Sequence, residues 1–157
     1  MKNELILILE NIRSTHNVGS LFRTADAVGA EKIYLVGVTP SPIDRFGREQ
    51  KDISKTALGA EKNIAWEHVP EIFSLIKNLK NSGYKIVALE QHTNSVSEIP
   101  KSENKIALIL GEETKGINEN ILSEVDYIFE LPMKGKKESL NVSVAAGVAL
   151  YKLTGLI

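Results

Sequence analysis

No cysteine occurs among the 157 residues, which excludes disulfides and thiolate metal centres. The three histidines, His16, His68 and His92, are too far apart for a histidine metal motif, so no metal site is expected. Long hydrophobic runs are missing too. The N-terminal "MKNELILILEN" holds only the short apolar run Leu5 to Leu9, less than the apolar core of a signal peptide or a bilayer span requires. A cytoplasmic protein without a membrane contact is the expectation. The chain also lacks Pro/Gly/Ser-rich linkers, repeats and low-complexity tracts, so a single domain over residues 1–157 is expected.

Excess positive charge is lacking as well. Lys and Arg number 19 against 20 Asp and Glu, a net charge of −1, whereas nucleic-acid-binding domains usually run strongly basic. The distribution of the basic residues is more informative than their sum. All four arginines (Arg13, Arg23, Arg45 and Arg48) fall in the first third, and three lysines cluster in "KGKK" (Lys134, Lys136, Lys137). The guanidinium is the better planar, multi-donor partner for phosphate. Two local basic sites on a neutral body are thus compatible with RNA and equally with plain solvated charge.

What is present is an alternation of short apolar runs with helical patterns. The runs are "LILIL" (Leu5 to Leu9), "KIYLVG" (Lys32 to Gly37), "IAWEHV" (Ile64 to Val69), "YKIVALE" (Tyr84 to Glu90), "KIALILG" (Lys105 to Gly111) and "YIFELP" (Tyr127 to Pro132). Helices are expected at Val18 to Val28, Ile53 to Ala60, Pro70 to Asn81, Asn118 to Val125 and Leu140 to Leu153. Continuous apolar strands interleaved with helices indicate an α/β fold, a mostly parallel sheet flanked by helices.

In the first helix, Val18, Leu21, Phe22, Ala25 and Val28 form the apolar stripe, Asn17 is the expected N-cap, and Gly29 can close the end in the left-handed conformation. Arg23 is off the stripe. It shares a face with Gly19, which is expected to clear space for it, and with Asp26, with which it could simply form a surface pair. The last segment, "SLNVSVAAGVALYKL", is apolar around nearly its whole circumference and is expected to be buried, with Ser139 and Asn141 either capping it or facing a crevice.

In open parallel sheets, ligands bind beyond the carboxyl ends of the strands. The unusual residues fall there three times: Asn11 and Arg13 after the first strand, "GEETKG" after the fifth, and "LPMKGKKESLN" after the sixth. No G-x-G-x-x-G follows a strand, which removes the dinucleotide fingerprint. Gly111 to Gly116 has the glycine spacing of a phosphate loop but continues with Ile117 and Asn118 where lysine and a hydroxyl are needed, and Glu112 and Glu113 would repel a triphosphate. A nucleophile elbow is absent too. What remains is either a tight strand-to-helix turn or a loop of close backbone approach that tolerates a cationic or hydroxyl-rich ligand.

Taken together, these three segments resemble the SpoU family of RNA 2′-O-ribose methyltransferases, in the SPOUT superfamily. In "NVGSLFRTADAVGA", Asn17, Gly19 and Arg23 match the family's N-x-G-x-x-x-R core; in "LILGEETKGI", Gly111, Glu113 and Gly116 match G-x-E-x-x-G; in "LPMKGKKESLNVSVAAGVALY", Pro132, Met133, Gly135, Ser139, Leu140 and Asn141 match. The motifs stand in the family's order and cover Asn11 to Tyr151.

The resemblance implies a deep C-terminal trefoil knot, which general topology rules would reject, and a homodimer. It implies S-adenosylmethionine as cofactor, held by Gly111, Leu131, Ser139 and Leu140 with Met133 and Gly135 nearby. It assigns Arg23 to catalysis and makes Asn17, Glu113, Ser139 and Asn141 positioning or assisting residues. Many family members carry an additional RNA-binding domain or basic extensions. In this chain RNA selection would fall to Arg13, Arg45, Arg48, Lys51, Lys55, Lys134, Lys136 and Lys137, or to a partner, with transfer RNA ahead of ribosomal RNA as the target. Two rival readings are a non-catalytic RNA-binding homologue and a small-nucleotide-binding regulator. The first would have been favoured by loss of Arg23, Asn141 or the Gly111 loop, and the second requires a phosphate cradle.

Overall fold

The computed structural model describes residues 3–137 and 139–157. Six parallel strands, β1 (Glu4–Glu10), β2 (Lys32–Val36), β3 (Ala65–Val69), β4 (Lys85–Leu89), β5 (Lys105–Leu110) and β6 (Tyr127–Phe129), form one sheet in the order β3-β2-β1-β5-β4-β6. The expected α/β class is therefore observed. Five helices cover the sheet: α1 (Thr15–Val28), α2 (Lys51–Ala57), α3 (Ile72–Asn81), α4 (Glu119–Leu122) and α5 (Val142–Leu153).

Burial follows strand parity, because successive side chains point to opposite faces. On β1, Leu5, Leu7 and Leu9 pack with Val18, Leu21, Phe22 and Ala25 of α1, Ile53 and Ala57 of α2, and Ala146, Ala149 and Leu150 of α5. Ile6 and Ile8 point the other way, into a second core with Ile72, Leu75, Ile76 and Leu79 of α3 and Ile121 and Leu122 of α4. Each fully buried Leu or Ile contributes roughly 1.5–3 kcal/mol relative to an exposed one, so a strand buried on both faces anchors the sheet. The chain runs from β1 outward to β2 and β3 on one side, while β5, β4 and β6 lie on the other. The strand order thus reverses between β1 and β5.

The structure corrects several local expectations. Ser14, not Asn17, caps α1: it sits in extended conformation and its Oγ accepts the Asn17 N–H at 3.2 Å, which starts the helix three residues earlier than expected. Gly29 closes the helix at φ 75°, as expected. Gly19 makes room for α2 rather than for Arg23, since a Cβ there would collide with the Thr56 hydroxyl and the Ile53 carbonyl oxygen. Across that gap the Thr56 hydroxyl donates to the His16 carbonyl at 3.0 Å. Arg23 is exposed and forms no ion pair among the described residues, with Asp26 or otherwise.

The remaining helices are shorter than expected, each for a visible reason. α2 stops at Ala57 because Leu58 turns left-handed at φ 51°, and a 3-10 turn, Ala60–Lys62, follows. α3 begins only after Glu71, whose carboxylate accepts the N–H groups of Phe73 at 2.7 Å and Ser74 at 3.0 Å. α4 is a single turn capped by Asn118. α5 begins after Asn141, whose Oδ1 accepts the Ser143 N–H at 2.9 Å, so Asn141 rather than Ser139 caps it. α5 is buried on one side only. Ala146 and Ala149 are fully buried against α1 and the sheet, whereas Val144 and Val148 are 53% and 42% exposed.

Two measurements test this packing. Gly19→Ala gains about 1 kcal/mol of helix propensity but must displace Thr56 and the α2 backbone, a misfit of about 1–3 kcal/mol or more, so a lower urea midpoint is expected. An unchanged or raised midpoint would show that α2 moves aside freely. At the end of β1, Glu10 Oε2 is buried without a hydrogen-bond partner, and burial first, then the Glu71 charge, pushes its carboxyl above the ordinary value of 4.5. The folded state therefore binds this proton more tightly than the unfolded chain, and the associated stability is present below that ordinary value and lost as pH rises through the folded one. Glu10→Gln is expected to raise stability at neutral pH and flatten its dependence above pH 4.5; equal pH profiles for the two proteins would contradict this.

Candidate active site

A cavity of about 430 Å³ lies beyond the carboxyl ends of β4 and β5. Its walls come from Leu89 to His92 after β4, Leu110 to Ile117 after β5, Leu131 and Met133 after β6, and Ser139, Leu140, Val142 and Ala145 at the entry to α5. Two of the three loops singled out in the sequence thus converge on one space. Of the expected cofactor contacts, Gly111, Leu131, Met133, Ser139 and Leu140 line it, and Gly135 does not.

The Gly111 loop folds back tightly on itself. A Cβ on Gly111 would lie 2.5 Å from Ile117 Cγ1 and 3.0 Å from the Gly116 carbonyl carbon, so only glycine fits. Gly116, at φ 66°, donates its N–H to the Glu112 carbonyl at 2.8 Å and closes the turn. The turn is gripped from β4 by Glu90, whose Oε2 accepts the Ile117 N–H at 2.9 Å and whose Oε1 accepts the Gln91 N–H at 3.1 Å. Glu90 lies so close over Gly116 that a side chain there would strike it. At the rim, His92 Nε2 and Glu119 Oε1 are 3.1 Å apart. Sequence reasoning passed over Glu90 and His92; the available signal was a carboxylate ending an otherwise apolar strand at its carboxyl end.

Beside the cavity, one amide joins the three motifs. Asn17 Nδ2 donates to Glu113 Oε1, and Asn141 Nδ2 donates to Asn17 Oδ1 at 3.5 Å, linking segments 96 and 124 residues apart in the chain. Asn17 can do this because Ser14 has taken over the capping, leaving the Asn17 side chain, in the first turn of α1, free to reach across. Arg23 lies further along α1 and is outside the cavity lining.

The basic residues divide into three groups. Arg13 is exposed just beyond β1, in a turn tied to the loop after β2: Thr39 Oγ1 accepts the Ile12 N–H at 3.1 Å, and Asn11 Oδ1 accepts the Val38 N–H at 3.0 Å. Arg45 and Arg48 share one turn of that same loop, and Lys51 and Lys55 are exposed on α2, which follows it. Lys134, Lys136 and Lys137 are exposed between β6 and α5, next to the cavity residue Met133. His16 is exposed on α1, and its backbone carbonyl accepts the Thr56 hydroxyl.

A parallel sheet with a cavity beyond the carboxyl ends of its strands, walled by the loops after β4, β5 and β6 and the start of α5, defines a ligand-binding α/β protein. The chain belongs to the SpoU rRNA methylase family, whose model matches residues 4–151. It is 32% identical over 159 residues to a Bacillus subtilis (strain 168) protein assigned by name to the TrmH family of tRNA/rRNA methyltransferases, YacO, covering 97% of this chain. The chain spans only 59% of the length of that relative. Among solved structures, the A. aeolicus TrmH/SpoU tRNA modifying enzyme superposes with a TM-score of 0.83 at 28% identity, covering 98% of this chain and 75% of that one. The AdoMet-bound rRNA methyltransferase of Sinorhizobium meliloti shares the fold, with a TM-score of 0.86 at 24% identity, over 100% of this chain and 58% of that one.

Proposed function

We propose that the chain transfers a methyl group from S-adenosylmethionine to a ribose 2′-hydroxyl of structured RNA, transfer RNA ahead of ribosomal RNA. The observation that carries this reading is the Asn17 amide, which draws the three family motifs together at the rim of a cavity. The cavity suits the cofactor. Leu89, Leu110, Leu131, Leu140 and Val142 offer apolar walls for a purine, and the carboxylates of Glu90, Glu112, Glu113 and Glu119 accompany a single cation, Lys115. That balance favours a positively charged, hydroxyl-bearing ligand over a phosphate. The tight Gly111 turn brings main-chain groups to its edge. Gly111, Leu131, Met133, Ser139 and Leu140 would hold the cofactor, which supplies an electrophilic methyl group on a sulfonium sulfur. Gly135, outside the lining, is assigned instead to the lysine loop.

The chain's part in the reaction is alignment and charge. Holding reactants in attacking geometry supplies roughly 7–11 kcal/mol of barrier lowering, and Asn17, Glu113, Ser139 and Asn141 are the residues assigned to it. Arg23 is a catalytic residue by motif. An arginine keeps its proton at neutral pH, so it cannot take the proton of the attacking hydroxyl, which passes to solvent water as the oxygen–methyl bond forms and the sulfur–methyl bond breaks. Arg23 instead stabilises negative charge developing on the ribose oxygen or grips the neighbouring phosphate, and its planar fork suits either. Arg13, Arg45, Arg48, Lys51, Lys55, Lys134, Lys136 and Lys137 contact the RNA backbone, by neutralising phosphates.

The same reading makes residues 1–157 one catalytic unit of a cytoplasmic enzyme, and no described helix is long and apolar enough to cross a membrane. It carries the trefoil knot and the homodimer as well. The return of residues 139–145 from the outer strand β6 to the cavity between the β4 and β5 loops supports the knot, and the exposed Val144 and Val148 on α5 support a partner helix.

Isothermal titration with S-adenosylmethionine is expected to show micromolar binding, weakened about tenfold or more (on the order of 1.4 kcal/mol) by Gly111→Ala. No binding by the native chain would sink the proposal. Arg23→Ala is expected to keep cofactor affinity while slowing methyl transfer by on the order of 10²-fold or more. Arg23→Lys, equally cationic, should remain at least about tenfold impaired in the same assay, and near-full activity would show that the planar fork is not needed.

A further inference from the structure

The loop between β2 and α2 carries an aromatic ring that the fold does not use. Phe46 is 66% exposed and belongs to neither apolar core. A single exposed apolar side chain needs no explanation in itself, but this one is displayed on a built turn between two guanidinium groups. The Arg45 and Arg48 Cζ atoms lie 4.8 Å and 5.0 Å from its ring centroid.

The turn is held from within by Asp44. Its Oδ1 accepts the N–H groups of Phe46 at 2.8 Å and Arg48 at 3.0 Å, and its Oδ2 accepts Arg48 Nε at 3.0 Å. The Asp44 N–H donates to the Arg48 carbonyl at 2.9 Å, Gly47 turns at φ 77°, and Ile43 bridges Glu49 across the base. These contacts, the Arg48 backbone N–H first, hold the Asp44 carboxyl below the usual carboxylate range, so it stays ionised at neutral pH. One carboxylate is thus committed to Arg48, while Arg45 has no carboxylate partner among the described residues. The turn presents the exposed Phe46 ring with both guanidinium groups over it, their two charges matched by Asp44 and Glu49, in a loop that leaves the sheet at the carboxyl end of β2 and is tied to the end of β1 through Asn11.

An exposed ring carrying guanidinium planes fits an unpaired nucleobase, which can stack on the ring or on a guanidinium while its phosphate meets the other arginine. Bases in an RNA duplex are stacked away, whereas bases in loops and bulges stack on aromatic rings and guanidinium planes. We propose that Phe46, with Arg45 and Arg48, is a stacking platform for an unpaired nucleotide of the RNA substrate. This rests on the reading of the chain as an RNA methyltransferase and adds that it selects RNA with an unpaired base that docks outside the cavity, whose lining does not include Phe46.

The test uses the full chain with two RNA probes, a stem-loop carrying 2-aminopurine at an unpaired position and a continuous duplex of the same length. The native chain is expected to bind the stem-loop with a change in 2-aminopurine fluorescence. Phe46→Ala should weaken stem-loop binding about tenfold, abolish the fluorescence change and leave duplex binding within about twofold, and Phe46→Trp should restore stem-loop binding. Arg45→Ala should weaken both probes and reduce the salt dependence by about one phosphate contact. Unaltered stem-loop binding by Phe46→Ala, an equal loss on both probes, or a changed oligomeric mass would overturn the platform while leaving the methyltransferase reading in place. Binding of neither probe by the native chain would remove both.

Discussion

Everything functional in this chain depends on the parallel pairing of β1 with β5. Six register pairs, from Glu4 with Lys105 to Leu9 with Leu110, hold these strands together at the centre of the sheet. Both are apolar on both faces, so neither can slide without moving side chains between two different cores. The pairing brings Asn11 and Gly111, a hundred residues apart in sequence, to one edge, and the chain leaves that edge in opposite directions.

The site is then assembled by a division of labour among hydrogen-bonding side chains. Ser14 satisfies the start of α1, which releases the Asn17 amide to bridge Glu113 and Asn141. Asn141 does two jobs at once, its oxygen capping α5 while its nitrogen reaches Asn17. Glu90 folds the loop that Gly111 and Gly116 make possible. The neutral contacts contribute about 0.5–1.5 kcal/mol net each and those to the Glu113 and Glu90 carboxylates about 1.5–3, and each sets a geometry that apolar packing alone would leave open.

The strands were legible because their apolar runs are continuous and bounded by turn residues, and all six appear in the sheet. The helix ends were less so. Asn17 has the chemistry of a cap, and only the structure shows that Ser14 fills that role while the Asn17 amide meets Glu113 from a distant loop. The role of Gly19 was misassigned for a similar reason: helical periodicity places Arg23 one turn away, but only tertiary packing reveals that Thr56 and the α2 backbone come closer. The apolar circumference of α5 was plain in the sequence, whereas its half-exposed state depends on tertiary packing, which covers one side of the helix with α1 and the sheet. Five of the six expected cofactor contacts line the cavity because motif spacing reports loop position well. Glu90 and His92 escaped notice because they stand outside the three motifs.

The grip of Glu90 on the Ile117 N–H separates what the motif encodes from what it needs. The segment "GEETKGI" contains its own glycines but not the acceptor that keeps it folded, which is borrowed from a neighbouring strand twenty-seven positions earlier. Transplanting that loop between relatives would therefore transfer a sequence without its conformation unless residue 90 travelled with it. The unit of inheritance for this pocket is a pair of adjacent strand ends, not a stretch of chain.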